Sequence, residues 1–409
     1  MSSASHPLFG DLHEPNKPNH HFLDCDCAYF HRAYDNLLLA QDAQGRDGCG
    51  FKNANAGNGY VTQRYRTGSQ SGKPANRNAS RIGTHLLRVL ELFAGIGGFA
   101  AAVPHLEIVE AVDIDQTARD VYSANFNHHY SSREIASLPL NWFSRFNCDL
   151  WWMSPPCTPF SQRGARRDLQ DTRSAAIKHL IQVAAVLRPS LICIENVVGF
   201  ESSQTYAMLL DKWTGSGYQI QTCTFCPSNF GWPNRRPRVY CIASQGDLPK
   251  SPSQPTVAVF PLSQFIDANI SPETHPTLWL DSKTVERYFD AMDRVAITND
   301  TAIGNSDKPP ITACFASSYG KAVVRSGSYL ETEWGYRRFS PREVARLLGF
   351  SDTFRLPNTL SFERQWHLLG NSLSLPAVRH VLGGLSRIGP CASVAANCCL
   401  LRNEPERRD

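Results

Sequence analysis

Five short apolar runs punctuate the chain between residues 88 and 243: RVLELF, IVEAVD, DLWWM, LICIENV and RVYCIA. They are nearly continuous rather than alternating, and rich in Val, Ile, Leu and aromatic residues. That is the pattern of strands buried on both faces of a parallel sheet. Between the third and fourth runs, Ile177, Leu180, Ile181, Ala184 and Leu187 recur at helical spacing, with Asp171 placed to cap a helix over 172–187. Strands alternating with helices predict an α/β sheet covered on both faces. From about residue 245 to 336 the pattern turns irregular and rich in Pro and Ser, which reads as a separate recognition region. The α/β character returns at RRFSPREVARLLGF. There Ser340, Pro341 and Glu343 supply an N-cap, a helix-first proline and a capping box, and Gly349 ends the helix.

Residues 44–80 lack apolar periodicity, are rich in Gly, Asn, Ser and Arg, and contain Asp47 as their only acid. This stretch reads as a disordered basic extension or as an over-extended gene start. The chain of 409 residues has a 42% apolar and 19% charged composition and a formal charge of +4, which permits a polyanionic partner without requiring one. No run approaches the roughly 18 apolar residues of a membrane span, so no membrane association is expected. Thirteen cysteines, odd in number and without a framework spacing, point to reduced thiols and a cytoplasmic protein, or a nuclear one in a eukaryote. Cys223 and Cys226 form a CxxC. They lie in the strand-like run YQIQTCTFC, where positions i and i+3 face opposite ways, so no zinc site is expected.

The candidate chemistry sits where the runs end. The first runs directly into FAGIGGFA, whose glycines suit a tight turn and close backbone approach to a ligand. About twenty residues on, the second run ends in Asp113, which suits either the two hydroxyls of a ribose or a helix N-cap. No GK[ST] follows the glycines, which excludes a P-loop and leaves an adenosine-containing cofactor. The third run stops at SPPCTPFSQRG, where two prolines stiffen a bend and present Cys157. The fourth delivers Glu195 and Asn196, and PNRRPRVY places Arg236 and Arg238 before the fifth. A thiol, a carboxyl group and an arginine at one sheet edge suit methyl transfer to carbon 5 of cytosine. Sulfur adding at carbon 6 makes the ring an enamine, a protonated Glu195 at ring N3 neutralises the charge that builds up, and Arg238 holds the base carbonyl. Arg163, Arg166 and Arg167 would favour thiolate, contact phosphates, or line a solvated loop. A base in a duplex must first be flipped out.

In this order, ELFAGIGG, AVDID, SPPCTPFS, ENVVGF, PNRRPRVY, RRFSPREVARLLGF and GNSLSLPAV resemble the motifs of the cytosine-C5 methyltransferase family over residues 88 to 386. The resemblance implies a Rossmann-like S-adenosylmethionine-dependent methyltransferase sheet with a small irregular target-recognition region. It implies that Phe93, Gly95 and Gly97 cradle the methionine part of S-adenosyl-L-methionine, that Asp113 takes the ribose, and that Ile114 and Glu134 meet the adenine. Cys157 would be the nucleophile, Glu195 the acid and Arg238 the pocket arginine, with Asn371 and Ser372 closing the cofactor site. The SPP tract is also found in amino-group methyltransferases as SPPY. Here Cys157 replaces the aromatic residue, and ENV has no part in that chemistry.

The stretch CFASSYGKAVVRSGSYLE resembles the recognition segment of the branch that methylates the anticodon loop of tRNA. Ala316 and Thr158 depart from that branch's threonine and glutamine. Cys314 is thereby a candidate substrate-side residue, together with Arg163 and Arg236. The expected partner is nucleic acid, tRNA in the favoured reading. The alternatives are a site-specific DNA cytosine-5 methyltransferase, paired with a restriction endonuclease in a restriction-modification system, and an inactive nucleic-acid-binding protein. The implied division is 1–84 as the extension, 85–245 as the catalytic domain, 246–336 as the target-recognition region, 337–390 as a return to the catalytic domain, and 391–409 as a tail.

Overall fold

The computed structural model describes residues 87–160, 168–248, 257–296 and 309–385. The first three strands and helices alternate: β1 (Arg88–Leu92), α1 (Gly98–Ala102), β2 (Glu107–Asp113), α2 (Gln116–Asn125), β3 (Tyr130–Ser132) and α3 (Leu140–Ser144). The alternation continues through β4 (Leu150–Met153), α4 (Ala175–Leu187), β5 (Leu191–Asn196) and α5 (Gln204–Gly215), then β6 (Gln219–Phe225) and β7 (Arg238–Ser244). These strands form one sheet in the order β3-β2-β1-β4-β5-β7-β6. The pairs from β3 to β5 are parallel, whereas β7 runs antiparallel to both β5 and β6. The fifth apolar run, read as another parallel strand, is therefore reversed. Continuous burial marks a central strand but carries no information on its direction.

Adjacent residues on a strand face opposite sides of the sheet, and β4 shows what that does to DLWWM. Trp151 joins the core cluster with Phe143, Leu180, Ile181 and Trp213, under α3, α4 and α5. Trp152 stacks on Phe99 of α1 at 4.7 Å on the other side. Both faces are thus covered, which is why the run has no polar alternation. The predicted cap at Asp171 is present: its side chain accepts from the Arg173 N–H, and one 3₁₀ turn precedes the α-helix at Ala175.

A second sheet, β8 (Asp293–Ala296), β9 (Ser328–Thr332) and β10 (Gly335–Arg338), follows the 3₁₀ turns and the helix α6 (Ser282–Tyr288). The chain then returns to the main sheet through α7 (Pro341–Leu348), α8 (Phe362–Gly370) and α9 (Leu375–Leu385). The capping box of α7 forms as predicted. Ser340 Oγ accepts from the Glu343 N–H, Glu343 Oε2 accepts from the Ser340 N–H, and Gly349 takes a left-handed φ of 92°. Glu343 also pairs with the buried Arg337 at 2.8 Å and accepts from the Asp267 N–H, fastening the helix to the second sheet. Among the described residues, no helix is long and apolar enough to cross a membrane.

Candidate active site

Strand order reverses between β1 and β4. In doubly wound sheets the crevice outside the strand ends at such a point is where ligands bind. Here it opens into a cavity of about 580 Å³, within the ordinary range of small-molecule sites. Phe93, Gly95, Asp113, Ile114, Glu134, Cys157, Glu195, Arg236, Arg238, Asn371 and Ser372 all line it. Residues from six separated sequence motifs thereby meet in one place.

The glycine turn builds one wall. Phe93, Gly95 and Gly97 all have left-handed φ, at 60°, 53° and 87°, and Phe93 does so at a conformational cost that glycine does not bear. The Gly95 N–H donates to Asp113 Oδ2 at 3.0 Å, and the Asp115 N–H donates to Oδ1 at 3.0 Å. A Cβ on Gly95 would meet nothing within 4 Å, so the missing side chain leaves open cavity. Gly97 is different. A Cβ there would lie 2.4 Å from the Phe126 ring and 2.9 Å from Tyr122, so this glycine packs the turn onto α2 and does not line the cavity. Burial pushes the Asp113 carboxyl above its usual range, against the pull of the two N–H donors. The side chain of Ile114 is 66% exposed beside it, an apolar surface of the kind an adenine covers. Opposite, Ser372 Oγ is buried with no hydrogen-bond partner among the described residues. An open cradle, a buried carboxyl and an orphaned hydroxyl fit an adenosyl amino-acid cofactor.

The thiol stands on a braced bend. The Ser154 N–H donates to the Leu92 carbonyl, and Ser154 Oγ accepts from Trp152 Nε1 at 2.8 Å. Asn196 Nδ2 donates to the Pro155 carbonyl at 3.1 Å, so the end of β5 holds the bend of β4. The Phe160 N–H closes the turn on the Cys157 carbonyl. Cys157 itself is exposed, unlike Cys193 and Cys241 inside the strands. Arg163, Arg166 and Arg167 lie outside the described residues. Arg173 instead lines the cavity, held by two hydrogen bonds to Asp171 at 2.9 and 2.7 Å. The sequence reading used Asp171 only as a helix cap and overlooked the arginine two residues on. The D-x-R spacing at a helix start was the available signal.

Glu195 and Arg238 meet because β7 is antiparallel. Its first residue falls at the sheet edge where β5 ends, with Asn196 opposite Val239. Arg238 Nε lies 3.2 Å from Glu195 Oε1, without the alignment of a hydrogen bond. Burial raises the Glu195 carboxyl above the usual range, and Arg238 and Arg236 only partly offset it. For Arg238, burial alone would lower the pKa, but Cys314, Glu195 and Cys157 outweigh it and hold the guanidinium charged. A carboxyl with a raised pKa and a charged guanidinium therefore face the same space. Arg236, also placed on the substrate side by the sequence reading, reaches the cavity but directs both Nη atoms at backbone carbonyls. Cys314 does not line the cavity. It lies behind the wall, 3.4 Å from Arg236 Nη1 and 3.8 Å from Arg238 Nη2. Burial would raise this thiol, yet the two arginines bring it below its usual range.

Known proteins are similar to this chain over about three quarters of its length. A sequence model of the C-5 cytosine-specific DNA methylases matches residues 87–301 and 291–387. A human tRNA (cytosine(38)-C(5))-methyltransferase is 27% identical over 389 residues, covering 74% of this chain and 98% of the relative. A DNA (cytosine-5)-methyltransferase of Dictyostelium discoideum is also 27% identical, over 72% of this chain and 93% of its own length. Among solved structures, the Dnmt2 methyltransferase of S. pombe superposes with a TM-score of 0.64 at 26% identity, over 74% of this chain and 98% of that one. The chain belongs to the C-5 cytosine-specific DNA methylase family and is a cytosine-C5 methyltransferase.

Proposed function

We propose that this chain uses S-adenosyl-L-methionine to methylate carbon 5 of cytosine 38 in tRNA. The observation that carries the chemistry is the exposed Cys157 on its braced bend, facing the same cavity as the raised Glu195 carboxyl and the charged Arg238. When bound, the cofactor supplies an electrophilic methyl group. Phe93, Gly95, Asn371 and Ser372 would hold its methionine end, Asp113 its ribose, and Ile114 and Glu134 its adenine. Gly97 shapes the turn from behind.

The Cys157 sulfur adds to carbon 6 of the flipped base, and the ring's electron pair moves toward N3, which takes the proton from Glu195. Arg238 holds the base carbonyl as charge develops. Return of the N3 proton to Glu195 would let the enamine pair attack through carbon 5, which would take the methyl group while the cofactor's S–CH3 bond breaks and its electron pair stays on the departing S-adenosylhomocysteine. Loss of the carbon-5 proton to a base then expels the sulfur and restores the ring. Arg173 adds positive charge to the wall of the cavity that carries Cys157, where the sequence offers Arg163, Arg166 and Arg167 to favour thiolate, contact phosphates or line a solvated loop. Residues 246–336 would serve as the target-recognition region in this reading, with the catalytic fold resumed through α7, α8 and α9.

Support for tRNA comes from the named relatives and from the segment 314–331. A loop base is already partly splayed, so presenting it costs less than opening a duplex. The Dictyostelium relative keeps a DNA substrate as the second reading. A cytoplasmic location agrees with the free thiols of the described residues. Incubation with methyl-labelled cofactor and either a tRNA transcript or duplex DNA separates the readings. Label on tRNA, lost when cytosine 38 is replaced, is the expected result. Label on DNA alone assigns the DNA substrate, and label on neither refutes turnover.

A further inference from the structure

Arg236 is 3% exposed, and its guanidinium donates to backbone carbonyls and a sulfur rather than to a carboxylate among the described residues. Burial and the neighbouring charge of Arg238 both lower its pKa, so holding a cation there is costly. What it gains is a ring of carbonyls from two distant stretches of chain. Nη1 donates to the Phe315 carbonyl at 2.9 Å and to Cys314 Sγ at 3.4 Å. Nη2 donates to the carbonyls of Gly370 at 2.9 Å and Ser372 at 2.5 Å. The first stretch belongs to the recognition segment. The second carries Gly370, Asn371 and Ser372, which line the cofactor end of the cavity.

The two stretches also touch directly. A Cβ on Gly370 would lie 2.3 Å from the Ser317 nitrogen and 2.4 Å from the Ala316 carbonyl carbon, so the backbones meet with no room for a side chain. His367 Nδ1 lies 3.2 Å from the Ser317 carbonyl and adds a second tie. On its far side Ser372 abuts the glycine turn, where a Cβ on Gly98 would come within 2.8 Å of Ser372 Oγ. Recognition segment, Arg236, the 370–372 loop and the glycine turn thus form one packed line from substrate side to cofactor side.

Resting on the reading of the site above, we propose that Arg236 is a positioning residue that couples nucleic-acid binding to cofactor retention. Nucleic acid bound at the 314–317 segment bears on the carbonyls that Arg236 already grips, and through them on the 370–372 loop at the cofactor end of the cavity. Linkage makes the effect mutual: each ligand strengthens the other by the same factor. Lysine at this position keeps the charge, but a single ammonium cannot span two pairs of acceptors as the planar fork does.

The test is calorimetric titration of the full chain with S-adenosylhomocysteine, with and without a saturating unmethylated tRNA transcript. Wild type is expected to bind the nucleoside about 5-fold or more tighter with RNA present. Arg236→Lys and, independently, Gly370→Ala are expected to bring that ratio to about 1, with thermal unfolding showing that each variant is folded. A wild-type ratio of 1, or a folded Arg236→Lys with the wild-type ratio, overturns the proposal. Methyl transfer measured on the same wild-type sample separates two failures. Transfer to tRNA without coupling removes the proposal alone, whereas transfer to neither tRNA nor DNA removes the reading beneath it.

Discussion

Glu91 lies in the middle of β1, between Leu90 and Leu92, and is 1% exposed. Its carboxyl accepts from Tyr122 Oη at 3.0 Å, and Tyr122 in turn lies 2.9 Å from His128 Nδ1. Burial pushes the Glu91 pKa from the ordinary 4.5 up to about 8, against the pull of hydrogen bonds from Tyr122 and the Ala100 backbone. The folded protein thus holds a proton that the unfolded chain has lost. This contribution is complete below the unfolded pKa, and it is lost as pH rises through the folded one. At ~1.4 kcal/mol per pH unit the whole interval corresponds to about 5 kcal/mol, of which about 3 kcal/mol falls between about pH 5.5 and 8. Glu91→Gln keeps an acceptor for Tyr122 but cannot titrate. Its amide N–H has no assigned acceptor, which costs a pH-independent ~1–3 kcal/mol. Urea unfolding of both proteins across that pH range measures the difference, in which other titrating groups cancel. The variant is expected to gain on wild type steadily with pH, by up to about 3 kcal/mol. Parallel stability curves would refute a neutral buried Glu91.

Four further outcomes follow from the site. Cys157→Ala, at an exposed position, should shift stability by no more than about 0.5 kcal/mol and keep S-adenosylhomocysteine binding. It should abolish methyl transfer and the covalent adduct with 5-fluorocytosine RNA seen by mass spectrometry. Glu195→Gln should lower kcat by about 10²–10⁴-fold. Because the neutral acid is the working form and its pKa is raised, wild-type rate should fall as pH passes above that pKa, and this limb should vanish in the variant. Gly97→Ala places a Cβ 2.4 Å from the Phe126 ring at a φ of 87°, and calorimetry should show a loss of about 1–3 kcal/mol. Cys314→Ala frees Arg238 Nη2 to turn toward Glu195, so the alkaline limb of the kcat profile should move to lower pH. An unmoved limb would show that Cys314 does not restrain that arginine.

Much of this was legible where a local pattern has one physical solution. Ser340, Pro341, Glu343 and Gly349 specify both ends of α7 because caps depend on neighbours in sequence. SPPC announced an exposed thiol because two prolines cannot continue a central strand. The direction of β7 was not legible, since RVYCIA would be equally buried either way, and that direction decides whether Arg238 reaches Glu195. Gly95 and Gly97 looked alike because both need positive φ. Only the packing of α2 shows that one faces the cavity and the other Phe126. Arg236 and Arg238 are two residues apart in one motif, yet one grips carbonyls and the other faces the acid. Their partners at 314–315 and 370–372 are set by tertiary contacts that no local spacing encodes.

An acid beside a guanidinium ordinarily loses its proton more easily, because the cation stabilises the carboxylate. At Glu195 that pull is present but burial exceeds it, and Arg238 is engaged largely elsewhere. Its Nη1 donates to the Pro237 carbonyl at 2.8 Å and its Nη2 points to Cys314 Sγ, leaving only the misaligned Nε near the carboxyl. Charge that might ionise Glu195 is shared with two sulfurs, those of Cys314 and Cys157. Burial of the carboxyl then outweighs the attraction, and its pKa stands above the usual carboxylate range. The same cation remains within electrostatic reach of Cys157, the group that must carry negative charge. One arginine therefore stands beside both the thiol and the raised carboxyl without forming a bidentate pair with Glu195. A sheet of parallel strands alone would place no strand start at this edge, so the antiparallel β7 is what makes this division of charge available.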